Sequence, residues 1–351
     1  MKNPRGFRPA TECLESRELL SATPTLGGGF LGSLPVQPDA TYSTVPGNGD
    51  QNPYGIAVLP RGILVSNFNN AQNLQGTGST IDVFRPGGTA SVFAQAPSQF
   101  GFTTALGVLR KGFAIAGALP TTDGISATAG QGSLFIYNRF GKQVGDWTSS
   151  KFVDGPWDLA VNDNGNHAQI FVSNVLNGTV SRIDAKIEHG RLVPTSARTI
   201  ASGYVFASDP VALVVGPTGL AFDAKTDVLY VASTGDNAIY AIADAGNRST
   251  SAGVGKAIVF NDQHLRGPLG LAFAPNGDLL TANGDLDNTN PSQNSEIVEY
   301  TRSGRFVDQY SLSSSAGAAF GLAMATNQDA IVLYAVNDAN NTLELFRKRR
   351  K

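Results

Sequence analysis

Short amides and a few carboxylates are the groups through which this 351-residue chain could do chemistry. Asn67, Asn174, Asn283 and Asn337 each end an apolar run, and Ser233 stands at the matching place in another. Gathered around one opening, such groups bind a hydrated cation or a sugar hydroxyl. An Asn after a strand also caps its own turn by bonding nearby backbone, so both readings stay open. Trp157 offers a face for a sugar ring, with core packing as the alternative. Asp158 beside it is the best single candidate for a metal ligand or general base. Asp285 and Asp287, with Asn288, place oxygen ligands at the spacing that opens a calcium loop, without the rest of that loop. A Ca2+ or other divalent site is thus open, and Asp158, Asn174 and Asn283 offer an all-oxygen set for it.

Other chemistries lack their residues. His167, His189 and His264 are too scattered for a metal cluster. The only cysteine, Cys13, excludes disulfides and cysteine zinc sites from the body. No Gly-x-Ser-x-Gly elbow occurs. Gly76-Thr77-Gly78-Ser79 has neither the lysine nor the helix of a phosphate loop.

The elements that must position these groups are repeats. A Gly-apolar-Ala-apolar strand recurs with anchors at 55, 107, 158, 219, 270 and 321, at intervals of 52, 51, 61, 51 and 51 residues. A second apolar strand follows each, such as Ile63–Asn67 or Leu229–Ser233. A third follows at Thr80–Phe84, Ser133–Tyr137, Thr179–Asp184, Ala238–Ile242, Glu296–Tyr300 and Thr342–Phe346. Five units add a fourth, at Ala90–Ala94, Gln143–Trp147, Arg198–Ala201, Lys256–Phe260 and Phe306–Tyr310. Four short strands in each of six units predict an all-β, six-bladed β-propeller with four-stranded blades. The last unit lacks a fourth strand, and 41–45 has the pattern to supply it beside 342–346. That pairing would close the ring.

Strand directions alternate within a blade. The loops entering first strands therefore share a face with those joining second to third strands. That face gathers Trp157, Asp158 and the asparagines around the channel mouth. The long loops 67–79, 118–132 and 283–295 belong to it, and long loops are often functional. Asp123 and Asp236 sit in comparable loops. Forty glycines, 18 prolines and 15% charged residues fit such a turn-rich body, against about 25% charged in an average domain. Its acidic charge argues against nucleic acid. The basic run 347–351 is read as a solvated terminus, the tail proper being 348–351. No apolar run is long enough for a transmembrane segment.

Pro217-Thr218-Gly219-Leu220-Ala221 and Val231-Ala232-Ser233-Thr234-Gly235-Asp236-Asn237-Ala238-Ile239 resemble NHL-repeat propellers, and the likeness covers residues 41–347. The second unit departs with Ala105-Leu106-Gly107, and the NHL Asp after the second strand is replaced by Asn or Ser. Leu14-Glu15-Ser16-Arg17-Glu18-Leu19-Leu20-Ser21 resembles the core of the planctomycete extracellular-domain motif. That resemblance implies export to the cell surface or beyond. The chain then divides into an export segment (1–22), a Gly/Pro linker (23–40), the propeller (41–347) and the tail. Six-bladed lactonases hold a divalent metal with a Glu on an innermost strand. Glu188, Glu296, Glu299 and Glu344 are the only glutamates of the body, and none stands at such a place. The expectation is a monomeric, exported binding module that meets a protein or glycan partner at its channel mouth. A metal-dependent lactonase or esterase is the alternative.

Overall fold

The computed structural model describes residues 28–85, 90–96, 100–284, 297–326 and 329–349. Six four-stranded antiparallel sheets form the blades of a propeller. Their inner strands are Gln51–Leu59, Phe102–Val108, Pro156–Asp163, Pro217–Asp223, Pro268–Phe273 and Ala319–Thr326. Five blades run outward in chain order, each strand pairing antiparallel with the next, and the last blade takes its outermost strand from the start of the chain. Third strands at Thr80–Phe84 and Ser133–Tyr137 have the bounds read from the sequence. Blade three is longer than expected: Thr179–Glu188 pairs with Arg191–Ser202 down to Glu188 opposite Arg191. His189 and Gly190 turn that hairpin with φ of 50° and 74°, the positive pair that matches strand twist.

The ring closes through Ala40–Ser43, which pairs antiparallel with Thr342–Arg349 from Ala40 opposite Leu345 to Ser43 opposite Thr342. The N-terminal strand thereby becomes the fourth strand of the last blade, so both ends of the chain share one sheet. Ahead of this strand, the part of the 23–40 stretch that is described does not behave as a loose linker. Phe30 and Leu31 are buried, and both of their N–H groups donate to Glu299 at 2.9 Å. Glu299 sits in the third strand of blade five, so this contact fastens the segment before the ring closes.

Packing follows from the radial arrangement. Each seam between neighbouring blades holds its own apolar core: Leu64 and Ile81 meet Phe102 and Phe135, and Phe171 and Val180 meet Leu229 and Tyr240. Second strands are covered on both faces by neighbouring blades and are buried nearly throughout, as in Gly62–Asn69. Outer strands such as Ala90–Gln95 are largely exposed.

The anchor glycines mark where inner strands converge on the axis. A Cβ on Gly219 would lie 2.1 Å from the Leu269 carbonyl oxygen, on Gly270 2.3 Å from that of Phe320, and on Gly321 2.3 Å from that of Tyr54. Each is the backbone of the next blade, which cannot move aside. Side chains stitch the same ring: Ser66 Oγ donates to the Thr103 carbonyl, Ser173 Oγ to that of Thr218, and Thr218 Oγ1 to that of Pro268. In blade two the sequence anchor is displaced. Leu106 pairs with Ala116 where Ile56 pairs with Val65, so Ala105, not Gly107, holds the anchor place.

Candidate functional site

At the mouth the axis opens into a cavity of about 650 Å³. Its floor is aromatic. The Tyr54 ring stacks on Phe320 at 4.0 Å and on Phe68 at 4.6 Å, with Trp157 tilted against it at 5.9 Å. Tyr54, Trp157 and Phe320 each directly precede an anchor residue, so the strand that brings backbones together below delivers rings to the axis above. Amides line the wall: Asn52 enters with the first inner strand, Asn69, Asn73 and Gln75 with the loop that follows, and Asn341 with the last blade.

Part of that wall comes from an unforeseen element. The 61-residue interval contains a hairpin, Ala207–Asp209 with Leu213–Val215, laid over the mouth. Asp209 Oδ1 accepts the N–H groups of Val211 and Ala212 at 2.7 Å each, which shapes the turn. Leu213 adopts φ of 66°, a conformation costing a leucine about 1–2 kcal/mol. Its side chain offsets this by burying among Tyr54, Phe68 and Trp157. Gln75 Nε2 donates to the Val211 carbonyl at 3.0 Å and joins hairpin to loop. The excess of the third interval over the others was the only sequence signal for this element.

Polar groups in the cavity are incompletely matched. Asn69 Nδ2 donates to Asn73 Oδ1 at 2.8 Å and Asn52 Nδ2 to Tyr54 Oη at 3.3 Å. The amide oxygens of Asn52 and Asn69, and Trp157 Nε1, are buried without a partner. Each such group costs about 1–3 kcal/mol until something pairs with it. Asp338 is the carboxylate of the lining. Burial raises it to about 7, against two backbone N–H groups that favour its charged form. Burial, with Asp338 close by, also pushes the Tyr54 hydroxyl above the usual phenol range.

Of the residues singled out from sequence, Trp157 lines this cavity, and the asparagine ring lies outside its lining. Asn67 Nδ2 donates to Asp82 Oδ2 at 2.9 Å and Asn337 Nδ2 to Glu344 Oε1 at 2.9 Å. Asn174 Nδ2 donates to Ser181 Oγ at 3.0 Å, and Asn283 Oδ1 accepts the Arg266 N–H at 3.0 Å. The amides of Asn67, Asn174 and Asn337 bond the third strand of their own blade, and that of Asn283 bonds the segment entering the first strand of its blade. Asp158 is buried, and both its oxygens are engaged: Oδ1 accepts the Leu159 N–H at 2.8 Å, and Oδ2 that of Leu220 in blade four at 2.9 Å. Burial raises its carboxyl to about 8. It is a seam residue that replaces the glycine approach with a hydrogen bond. Asp285 and Asp287 lie outside the described residues. Among the described residues no group of three His, Cys, Asp or Glu side chains is arranged to hold a metal.

No protein-family model matches the chain, and no curated protein sequence does. Solved structures do share its fold. A putative oxidoreductase (glucose dehydrogenase) from Thermus thermophilus is 15% identical with a TM-score of 0.55, over 88% of this chain and 99% of that one. Regucalcin, a calcium-binding protein from Agrobacterium tumefaciens, is 13% identical with a TM-score of 0.54, over 88% and 95%. A luciferin-regenerating enzyme is 9% identical with a TM-score of 0.55, over 88% and 94%. At these identities the likeness establishes the propeller architecture and nothing of the chemistry.

Proposed function

We propose that this chain is an exported, NHL-like binding module that takes a neutral glycan at its channel mouth. One observation carries the reading: the orphaned amide oxygens of Asn52 and Asn69 and the orphaned Trp157 Nε1 border a cavity floored by stacked rings. A sugar presents an apolar C–H face to such rings and hydroxyls that both donate and accept, which complements this set. The planctomycete-type motif at 14–21 supports export, and cell fractionation of the full chain tests it. A second reading, a protein partner, draws support from Phe206 and Val211, 49% and 76% exposed on the same face.

The metal-dependent lactonase or esterase read from the sequence is the other candidate, and one fold neighbour, regucalcin, is a calcium-binding protein. The described residues do not fit a divalent ion. The entrance positions Tyr54, Thr104, Trp157, Thr218, Leu269 and Phe320 carry no carboxylate, and Asp158 spends both oxygens on backbone. Asp338 alone gives the described lining one carboxylate, whereas affinity for Ca2+ rises with ligand charge count.

The test is titration of the full chain with neutral oligosaccharides, followed by tryptophan fluorescence and calorimetry, with and without EDTA. Binding that survives EDTA and weakens about tenfold in Asn69→Ala supports the reading. About one tightly held divalent ion per chain, or sugar binding abolished by EDTA, overturns it in favour of the hydrolase. Protein capture with no sugar response favours the second reading.

A further inference from the structure

The face opposite the mouth is built from turns between first and second strands and between third and fourth. In blades one and two these connections span 60–61, 85–89, 109–113 and 138–142. They carry Arg61, Arg85, Arg110, Lys111, Arg139 and Lys142, without a single Asp or Glu. All six cations are exposed. The same connections elsewhere mix signs, as with Lys225 and Asp227 in blade four or Asp278, Arg302 and Arg305 in blade five.

Within this basic sector, a cleft of about 520 Å³ separates blades one and two. Its walls are apolar, with Val58, Leu59, Val83, Val108 and Phe113 among them, and Arg85, Arg110 and Arg139 stand in its lining. None of these three arginines joins a salt bridge among the described residues. Arg85 Nη1 donates only a long bond, 3.3 Å, to Ser91 Oγ. Asp163, the carboxylate that approaches from blade three, is held by the backbone N–H groups of Arg110 and Gly165 at 2.5 and 2.6 Å. Arg139 lies over the Phe140 ring at 4.7 Å, so among the described residues the three guanidinium groups meet a hydroxyl and a ring face but no carboxylate in an ion pair, beside an open apolar slot.

We infer that this cleft binds a free, single-chain anionic amphiphile: a medium-chain carboxylate with its alkyl tail between the blades and its head on the arginines. The forked guanidinium matches a carboxylate in two parallel hydrogen bonds. The cleft volume falls in the range that takes small organic ligands. Neither feature suffices alone, since a bare basic patch has no use for apolar walls and a bare apolar slot none for three cations. The site is independent of the mouth in residues and in ligand.

The test is calorimetry on the full chain with octanoate, decanoate and dodecanoate below their micelle concentrations. Decyl maltoside, sulfate and phosphatidylglycerol vesicles serve as comparisons. Saturable binding is expected, tightening about fourfold per added methylene until the cleft is filled. It should weaken at least about tenfold in the triple variant Arg85→Gln, Arg110→Gln, Arg139→Gln, and stay unchanged in Lys256→Gln on blade four. These arginines are exposed, so the variant should melt as the parent does. Equal affinity for the maltoside would remove the anion requirement, and equal affinity for sulfate the tail requirement; either overturns the inference. So would vesicle binding without monomer binding, carboxylate binding unmoved by the triple variant, or no binding of any chain length.

Discussion

Phe320 and Gly321 are neighbours on one strand, as are Tyr54 and Gly55 or Leu269 and Gly270, yet the two members of each pair answer to different demands. The anchor member lies where inner strands meet, and a Cβ there strikes the next blade's backbone. In four blades the member just above it reaches the mouth, as Tyr54, Trp157, Leu269 and Phe320. Convergence on an axis thus leaves one ring of positions fixed by geometry and the adjacent ring free to vary. Repetition in the sequence reports the first ring; whatever the protein binds is written in the second.

The fixed ring is most vulnerable where it closes. Removing Ala40–Ser43 strips the partner from the last blade and uncouples the two ends of the chain. The expected result is a melting temperature lower by roughly 10 °C or more, several kcal/mol at this chain length. Differential scanning calorimetry reads it directly, and an unshifted melt would mean that blade packing alone holds the ring.

A single side chain comes next. Gly321→Val places atoms against the Tyr54 carbonyl, 2.3 Å from the added Cβ, and should cost about 3 kcal/mol in urea denaturation. Gly47→Val, where nothing lies within 4 Å, is the control and should be nearly silent. Equal losses at the two sites would erase the distinction between anchor and surface glycine.

Blade three tests whether the ring can close by another device. Asp158 stands in the anchor place and accepts the Leu220 N–H across the seam, with its carboxyl raised to about 8 by burial. The unfolded chain releases that proton near pH 4, whereas the native state holds it to about 8. Its contribution to stability is therefore full below pH 4 and declines as pH rises through 8, on the order of 1.4 kcal/mol per pH unit in between. Asp82 and Asp338, both raised to about 7, act in the same direction. Asp158→Asn should accordingly be less stable at pH 5 but lose less between pH 5 and pH 8. Parallel curves for parent and variant would show that Asp158 ionises freely in the fold.

The same division explains what could be read from sequence. Blade number, the order of strands in each blade and ring closure were legible, because each blade must repeat the same approach to the axis; the outer strands of blade three and the last strand of the chain run longer than read. Trp157 was legible as a mouth residue because it adjoins an anchor. Asn67, Asn174, Asn283 and Asn337 recur for a reason that sequence could not separate from ligand binding: three bond the third strand of their own blade, and Asn283 bonds the segment that enters its blade. Asn52, Asn69 and Asp338 escaped notice because nothing repeats them. The hairpin over the mouth showed only as extra length, since its residues belong to no blade.

The mildest change belongs to that hairpin. Val211 is 76% exposed on the cavity rim, and its backbone is held by Asp209 and Gln75 rather than by its own side chain. Val211→Ser should leave stability within about 0.5 kcal/mol of the parent. A protein partner seated on this rim would lose apolar contact and weaken severalfold. A glycan bound to the amides and rings below would keep its affinity nearly intact. Measuring both on one variant separates two ligands that share a face: weakened capture of protein with unchanged sugar titration places the protein on the rim and the sugar on the floor. A large loss of stability from so exposed a side chain would show that the hairpin belongs to the fixed ring rather than to the variable one.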